Sequence, residues 1–189
     1  IKKNTTDKDC YNFFKKLIPY AGDTIVGIQN AKEYLGVGLK SKDIIKLYKT
    51  YDNFRAIKGE SSAALIQTEI SKYPKDLRVF NGRGGQEIVD NFIVGCRGIV
   101  PALENADNFI KIYKYIQNKK FDNAHKEYMK ILPSIVFIMQ SINSLVCYGK
   151  RICAYRMGVK TIYDRSPGMI PTSFGLRKSK EIAKNLGLF

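Results

Sequence analysis

The chain alternates short apolar stretches with longer segments whose apolar positions repeat at helical spacing. Four stretches set this organisation: residues 24–29, 54–58, 77–81 and 98–101. Each has the length of a buried strand, and each is followed by the pattern of an amphipathic helix. After the first, Ile44, Ile45, Tyr48 and Tyr51 fall on one face of a helix over residues 41–51. After the second, Ser61 or Ser62 is placed to cap a helix that Pro74 ends. A glycine-rich turn follows the third and leads into a helix over residues 86–94, and a helix from about residue 107 to 117 follows the fourth. Strands alternating with helices at a period of roughly 20–30 residues predict βαβ units and a parallel sheet.

The two ends depart from this rhythm. Residues 7–17 carry a helical pattern, so the chain begins inside a βα unit. From residue 121 no strand pattern recurs. Residues 121–131, 133–148 and 176–186 predict helices, with a loop rich in Pro and Gly over 166–175. Four parallel strands leave two open edges, which proteins normally pair or cover. Half a barrel fits this better than a finished sheet, and a first residue of Ile1 rather than Met agrees with a missing N-terminal portion.

Composition narrows the function classes. A hydrophobic fraction of 44%, with 12 Tyr and 10 Phe, is enough for a core. No apolar run approaches the ~18 residues that span a bilayer, and residues 1–9 lack the apolar core of a secretory signal, so a cytoplasmic chain without a membrane partner is expected. Cys10, Cys96, Cys147 and Cys153 form no CxxC pair and His125 is the one histidine, which predicts reduced structural thiols and no metal site. The net charge of +15 would ordinarily point to nucleic acid. Its lysines are instead spread between apolar residues, as in Ile110-Lys111-Ile112-Tyr113-Lys114-Tyr115, which describes solvated helix faces. With no basic block and no known binding pattern, no nucleic-acid partner is expected, and a basic nucleic-acid-binding module stands as the alternative of another class.

In parallel α/β folds, functional side chains gather where strands end and βα loops begin. Lys58 ends an otherwise apolar strand. There an inward lysine loses water, which disfavours an ammonium and leaves an amine able to attack a ketone; a surface lysine on an edge strand is the plainer alternative. Glu60, two residues on, shares its face if the chain stays extended, placing a carboxylate beside the resulting imine, although a solvated loop glutamate has the same sequence signature. The turn Gly82-Arg83-Gly84-Gly85 resembles a phosphate cradle but lacks the Walker spacing and lysine, so its glycines more plausibly let backbone approach a small ligand. Glu87 follows at the expected helix start, where it either points into the same cavity or complements the helix dipole.

Taken in order, Ile28-Gln29-Asn30-Ala31 with Gly36-Val37, Ala56-Ile57-Lys58-Gly59-Glu60, Phe80-Asn81-Gly82-Arg83-Gly84-Gly85 and Gly98-Ile99-Val100-Pro101 resemble the dihydrodipicolinate synthase and N-acetylneuraminate lyase family of class I aldolases and dehydratases. The resemblance covers essentially the whole chain. It implies a (β/α)8 barrel of which these are strands five to eight, over residues 1–118, with a C-terminal helical extension over 119–189. It also implies that Lys58 is the Schiff-base lysine and that the covalent imine makes any cofactor unnecessary. The family's relay tyrosine falls on Gln29 and the synthase arginine on Tyr34. These departures bring the pattern closer to the branch that dehydrates 2-keto-3-deoxy sugar acids such as 2-keto-3-deoxyarabonate, in which Lys58, Glu60 and Glu87 would be catalytic. Gln29, Asn30, Gly82, Arg83, Gly84 and Val100 would bind the small-molecule 2-oxo acid. An aldolase or synthase of the same family is the alternative, and the full-length form is expected to be a homo-oligomer, a tetramer or dimer.

Overall fold

Strand β1 (Val26–Asn30) pairs in parallel with β2 (Phe54–Gly59), β2 with β3 (Arg78–Asn81), and β3 with β4 (Gly98–Ile99). This four-stranded sheet runs in sequence order in a computed structural model that describes residues 4–189. Helices α2 (Lys32–Leu35) and α3 (Ser41–Thr50) connect β1 to β2, α4 (Ala63–Ile70) connects β2 to β3, and α5 (Ile88–Ile93) connects β3 to β4. All four expected strands form. The last is cut to two residues, since Val100 still donates to the Asn81 carbonyl at 2.8 Å but Pro101 has no N–H to continue the ladder.

The chain forms two compact units, Ile1–Arg83 with Asp90–Val100, and Gly84–Val89 with Pro101–Phe189. They are divided by packing, a different partition from the barrel and extension expected to meet at residue 118. In the first unit, α1 (Asp7–Leu17) begins with a capping box: the Asp9 amide donates to the Thr6 hydroxyl at 3.2 Å, and the Thr6 amide donates back to the Asp9 carboxylate at 2.8 Å. The core of this unit joins Ile28, Phe54, Ile57 and Val79 of the strands to Ile44 and Leu47 of α3 and Ile66 of α4, with Cys10, Tyr11 and Phe14 of α1 packed against it. Cys96 is buried in the same cluster, and burial pushes its thiol up to about 12. Strand side chains alternate between faces, so the neighbours of these core residues face away from the core. Gln29, Lys58 and Phe80 are such neighbours, and the register sets Gln29 beside Lys58 and Lys58 beside Phe80.

The second unit is helical: α6 (Ala106–Gln117), α7 (Phe121–Ile138), α8 (Ile142–Ser144), a π-helical turn Leu145–Gly149, α9 (Lys150–Arg156) and α10 (Ser173–Leu186). Here the sequence pattern misplaced a break. The helices expected over 121–131 and 133–148 are one helix through Pro133, ending at Ile138. An interior proline costs about 3 kcal/mol, but Ile131, Ser134, Ile135 and Ile138 are all buried, so an unbroken buried face outweighs it. The chain breaks after Met139 instead, where Ser141 accepts from the Ser144 amide at 3.0 Å and caps the next helix. Similarly, α10 starts at Ser173 rather than 176, because Thr172 accepts from the Gly175 amide at 3.0 Å. Among the described residues no single helix is long and apolar enough to cross a membrane.

Arg156 is the polar centre of this unit. Its side chain is fully buried, donates to both Asp107 oxygens at 2.9 Å, to the Glu104 carbonyl at 2.6 Å and to the Gly187 carbonyl at 2.8 Å, and lies 4.0 Å from the Phe189 ring centre. Burial pushes the Asp107 carboxyl up, but the hydrogen bonds and charge of Arg156 outweigh it and hold the carboxyl below its ordinary value. A folded-state value below the unfolded one contributes stability that is present above the unfolded value, near pH 4, and lost as pH falls through the folded one. Asp107→Asn is therefore expected to lower the thermal midpoint at pH 7 and to narrow the gap to wild type below about pH 4. Arg156→Met is expected to cost about 1–3 kcal/mol in denaturant titrations, because it removes the donor of the Glu104, Leu186 and Gly187 carbonyls while the partly exposed Asp107 carboxylate keeps some of its hydration.

Candidate functional site

At the C-terminal ends of the parallel strands, three donors converge on the carboxylate of Glu60, which is only 4% exposed. The Lys58 ammonium nitrogen lies 2.9 Å from its Oε1, and the Gln29 amide nitrogen donates to the same oxygen at 2.9 Å. The backbone N–H of Arg83 donates to Oε2 at 2.9 Å. Strand geometry explains the convergence: Lys58 and Glu60 are two residues apart and share a face, Gln29 is the register partner of Lys58, and Arg83 follows the end of the adjacent β3. A carboxylate this buried needs such donors, since an unpaired one would leave its solvation uncompensated. The Lys58 side chain itself is 28% exposed, so the amine remains reachable.

The turn after β3 is shaped around the same carboxylate. A Cβ on Gly82 would stand 2.4 Å from Glu60 Oε2, so only glycine leaves room there. Arg83 holds a φ of 55°, an uncommon region for a residue with a side chain, and in that conformation its N–H faces Glu60. Tyr34 also reaches this site. Burial pushes its phenol up, the Glu60 charge adds to this, and a hydrogen bond to the Arg83 side chain opposes it.

The remaining candidates are placed as follows. Both polar groups of the Asn30 side chain are engaged by Leu39, donating to its carbonyl at 3.0 Å and accepting from its amide at 2.8 Å, which pins the loop after α2. Val100 lies just past β4 and is 45% exposed. Gly84 and Glu87 belong to the second unit, whereas Gln29, Asn30, Lys58, Glu60, Gly82, Arg83 and Val100 belong to the first. Glu87 lies half-buried in the turn ahead of α5 rather than in the first turn of the helix, because the helix begins at Ile88 and not at residue 86. Gly84 takes a φ of 60°, and a Cβ there would meet the Met139 sulfur at 2.5 Å. Sequence reasoning passed over Glu33, whose carboxylate accepts from the Ser61 hydroxyl at 2.5 Å beside the site.

No protein-family model and no curated protein matches the sequence. Solved structures do match in fold. Dihydrodipicolinate synthase from Rhodopseudomonas palustris superposes with a TM-score of 0.81 at 18% identity, covering 95% of this chain and 62% of that one. The Ruminococcus gnavus sialic acid aldolase gives 0.85 at 17% identity over 98% and 62%, and the Thermotoga maritima dihydrodipicolinate synthase gives 0.83 at 15% over 98% and 63%. The chain thus spans a little over three fifths of the length of these structures. By its fold, this parallel α/β chain is similar to dihydrodipicolinate synthases and sialic acid aldolase.

Proposed function

We propose that this chain carries the imine-forming centre of a Schiff-base lyase acting on a 2-oxo acid, with Lys58 as the nucleophile. The observation that carries the reading is the Lys58 nitrogen 2.9 Å from the buried Glu60 carboxylate, at the end of a parallel strand and on the face away from the core. A second structure of the R. gnavus aldolase is of a variant in its catalytic lysine; it matches with a TM-score of 0.84 at 17% identity over 98% of this chain and 61% of that one, which supports lysine chemistry on this fold. The four strands are then the fifth to eighth of a barrel. The homo-oligomeric assembly of the whole enzyme belongs to the same proposal.

Glu60 takes a proton from the Lys58 ammonium, the freed amine attacks the C2 carbonyl, and Glu60 returns the proton as the carbinolamine hydroxyl leaves as water, giving a protonated imine whose nitrogen draws electrons from the C3–H bond. Glu60 takes that proton and an enamine remains. In a dehydratase the enamine then expels a C4 hydroxyl, which departs as water with a proton from an acid, the role given to Glu87 by its place in the sequence; hydrolysis of the imine returns Lys58. Because the imine is the electron sink, the reaction calls for no metal or organic cofactor. Dehydration of a 2-keto-3-deoxy sugar acid is favoured over bond cleavage because Gln29 and Tyr34 stand where the synthase pattern has its tyrosine and arginine. Aldol cleavage is the second reading, supported by the synthases and aldolase of similar fold.

Borohydride reduction in the presence of pyruvate should attach the adduct to the peptide containing Lys58 and nowhere else. Labelling of another lysine, or none, would overturn the reading. Water loss without cleavage marks the dehydratase, and release of pyruvate with an aldehyde marks the aldolase. Glu87→Gln should slow dehydration by roughly 10²-fold or more while leaving trapping intact. Gly82→Ala should displace Glu60 and depress trapping and turnover together, with the fold retained by circular dichroism.

A further inference from the structure

Gln29 stands in the reactive cluster yet has no proton it can release. An amide neither gives up nor takes a proton in neutral water, so whatever it contributes is made by hydrogen bonding alone. The direction of that bond is fixed by its partner: an ionised carboxylate only accepts, so the amide NH2, and not its carbonyl, faces Glu60. The contact is also geometrically constrained on every side. Register holds Gln29 beside Lys58, the Arg83 N–H holds the other Glu60 oxygen, and the missing Cβ of Gly82 leaves the room that the carboxylate occupies.

We infer that Gln29 is a positioning residue, whose amide sets the rotation of the Glu60 carboxylate so that Oε1 stays on the Lys58 nitrogen while the carboxylate addresses the carbon next to the imine. The inference rests on the Schiff-base reading and deepens it. Lys58 becomes part of the substrate adduct during turnover and moves with it, so a carboxylate oriented by Lys58 alone would lose its reference at the moment of proton transfer. Gln29 and the Arg83 N–H are references outside the adduct. Proton transfer depends steeply on such alignment, and a misplacement of about 1 Å can cost ~10²-fold.

The test uses pyruvate, whose methyl carbon corresponds to C3, and follows exchange of its protons for deuterium in D2O by NMR. Glu60-dependent proton removal is read by the exchange rate at saturating pyruvate, and imine formation by borohydride trapping of Lys58. Gln29→Ala is expected to lower the saturated exchange rate roughly 10- to 100-fold with the half-saturating pyruvate concentration and the trapping yield unchanged. Gln29→Met, which keeps length and volume but loses the donor, should match it, and Gln29→Glu, which sets two carboxylates together, should fall further. In a Glu60→Gln background the Gln29→Ala change should have no additional effect. Wild-type exchange in Gln29→Ala and Gln29→Met, a loss confined to half-saturation, or an equal loss in both backgrounds would overturn the positioning role while leaving Lys58 as nucleophile. Failure to trap Lys58 in the unaltered chain would overturn both.

Discussion

The first unit is organised around a carboxylate that has been taken out of water. A buried carboxylate is tolerated only where donors replace its hydration, and Glu60 draws its donors from three successive strands: Gln29 from β1, Lys58 from β2 and the Arg83 N–H from the turn after β3. That requirement fixes much else. The parallel register must put Gln29 level with Lys58, the residue after β3 must lack a side chain, and Arg83 must hold a left-handed backbone that side chains disfavour. Such backbone strain persists only where the surroundings over-determine it, and here the Arg83 N–H is engaged by the buried Glu60 carboxylate.

The second unit solves a similar problem with the opposite charge. Arg156 is buried completely and is satisfied by one carboxylate and backbone carbonyls, several of them from residues near helix ends. Orphan carbonyls at helix ends need donors, and a guanidinium supplies five in a fixed plane. Arg156 thereby ties α9 to the start of α6 and to the end of α10, beside the apolar cluster that Ile152 shares with Ile182 and Ala183.

The strands and the shared face of Lys58 and Glu60 were legible because they depend on local period alone: two residues apart in an extended chain means one face, whatever the rest of the fold does. Gln29 was singled out by its place at a strand end, but its contact with Glu60 was not legible, since that depends on register between residues 31 apart in sequence. The engagement of Asn30 by Leu39 was hidden because it depends on the path of the loop after α2, which carries no periodicity. Pro133 misled the reading because a proline is a local signal for a break, and the buried face that overrides it is tertiary. Tyr34 entered only as a departure from a family pattern. Its approach to Glu60 and Arg83 comes from the short α2, a single turn with no periodicity to detect.

Under the proposed Schiff-base reaction, the chemistry of an imine gives the Lys58–Glu60 contact its value. The nucleophile is a neutral amine and the imine that follows is a cation, so the positive charge facing Glu60 Oε1 is in place once the covalent bond has formed and water has left. A carboxylate already held by fixed donors meets that cation without reorganising, which is where preorganised electrostatics gain over water. The change comes one step later, when the C3 proton reaches the carboxylate and the imine charge is discharged into the enamine. Both partners of the ion pair are neutralised together, and expulsion of the C4 hydroxyl restores the imine charge. A carboxylate held by neutral donors that do not titrate, an amide and a backbone N–H, is suited to that cycle, because its orientation survives the step in which its charge is lost.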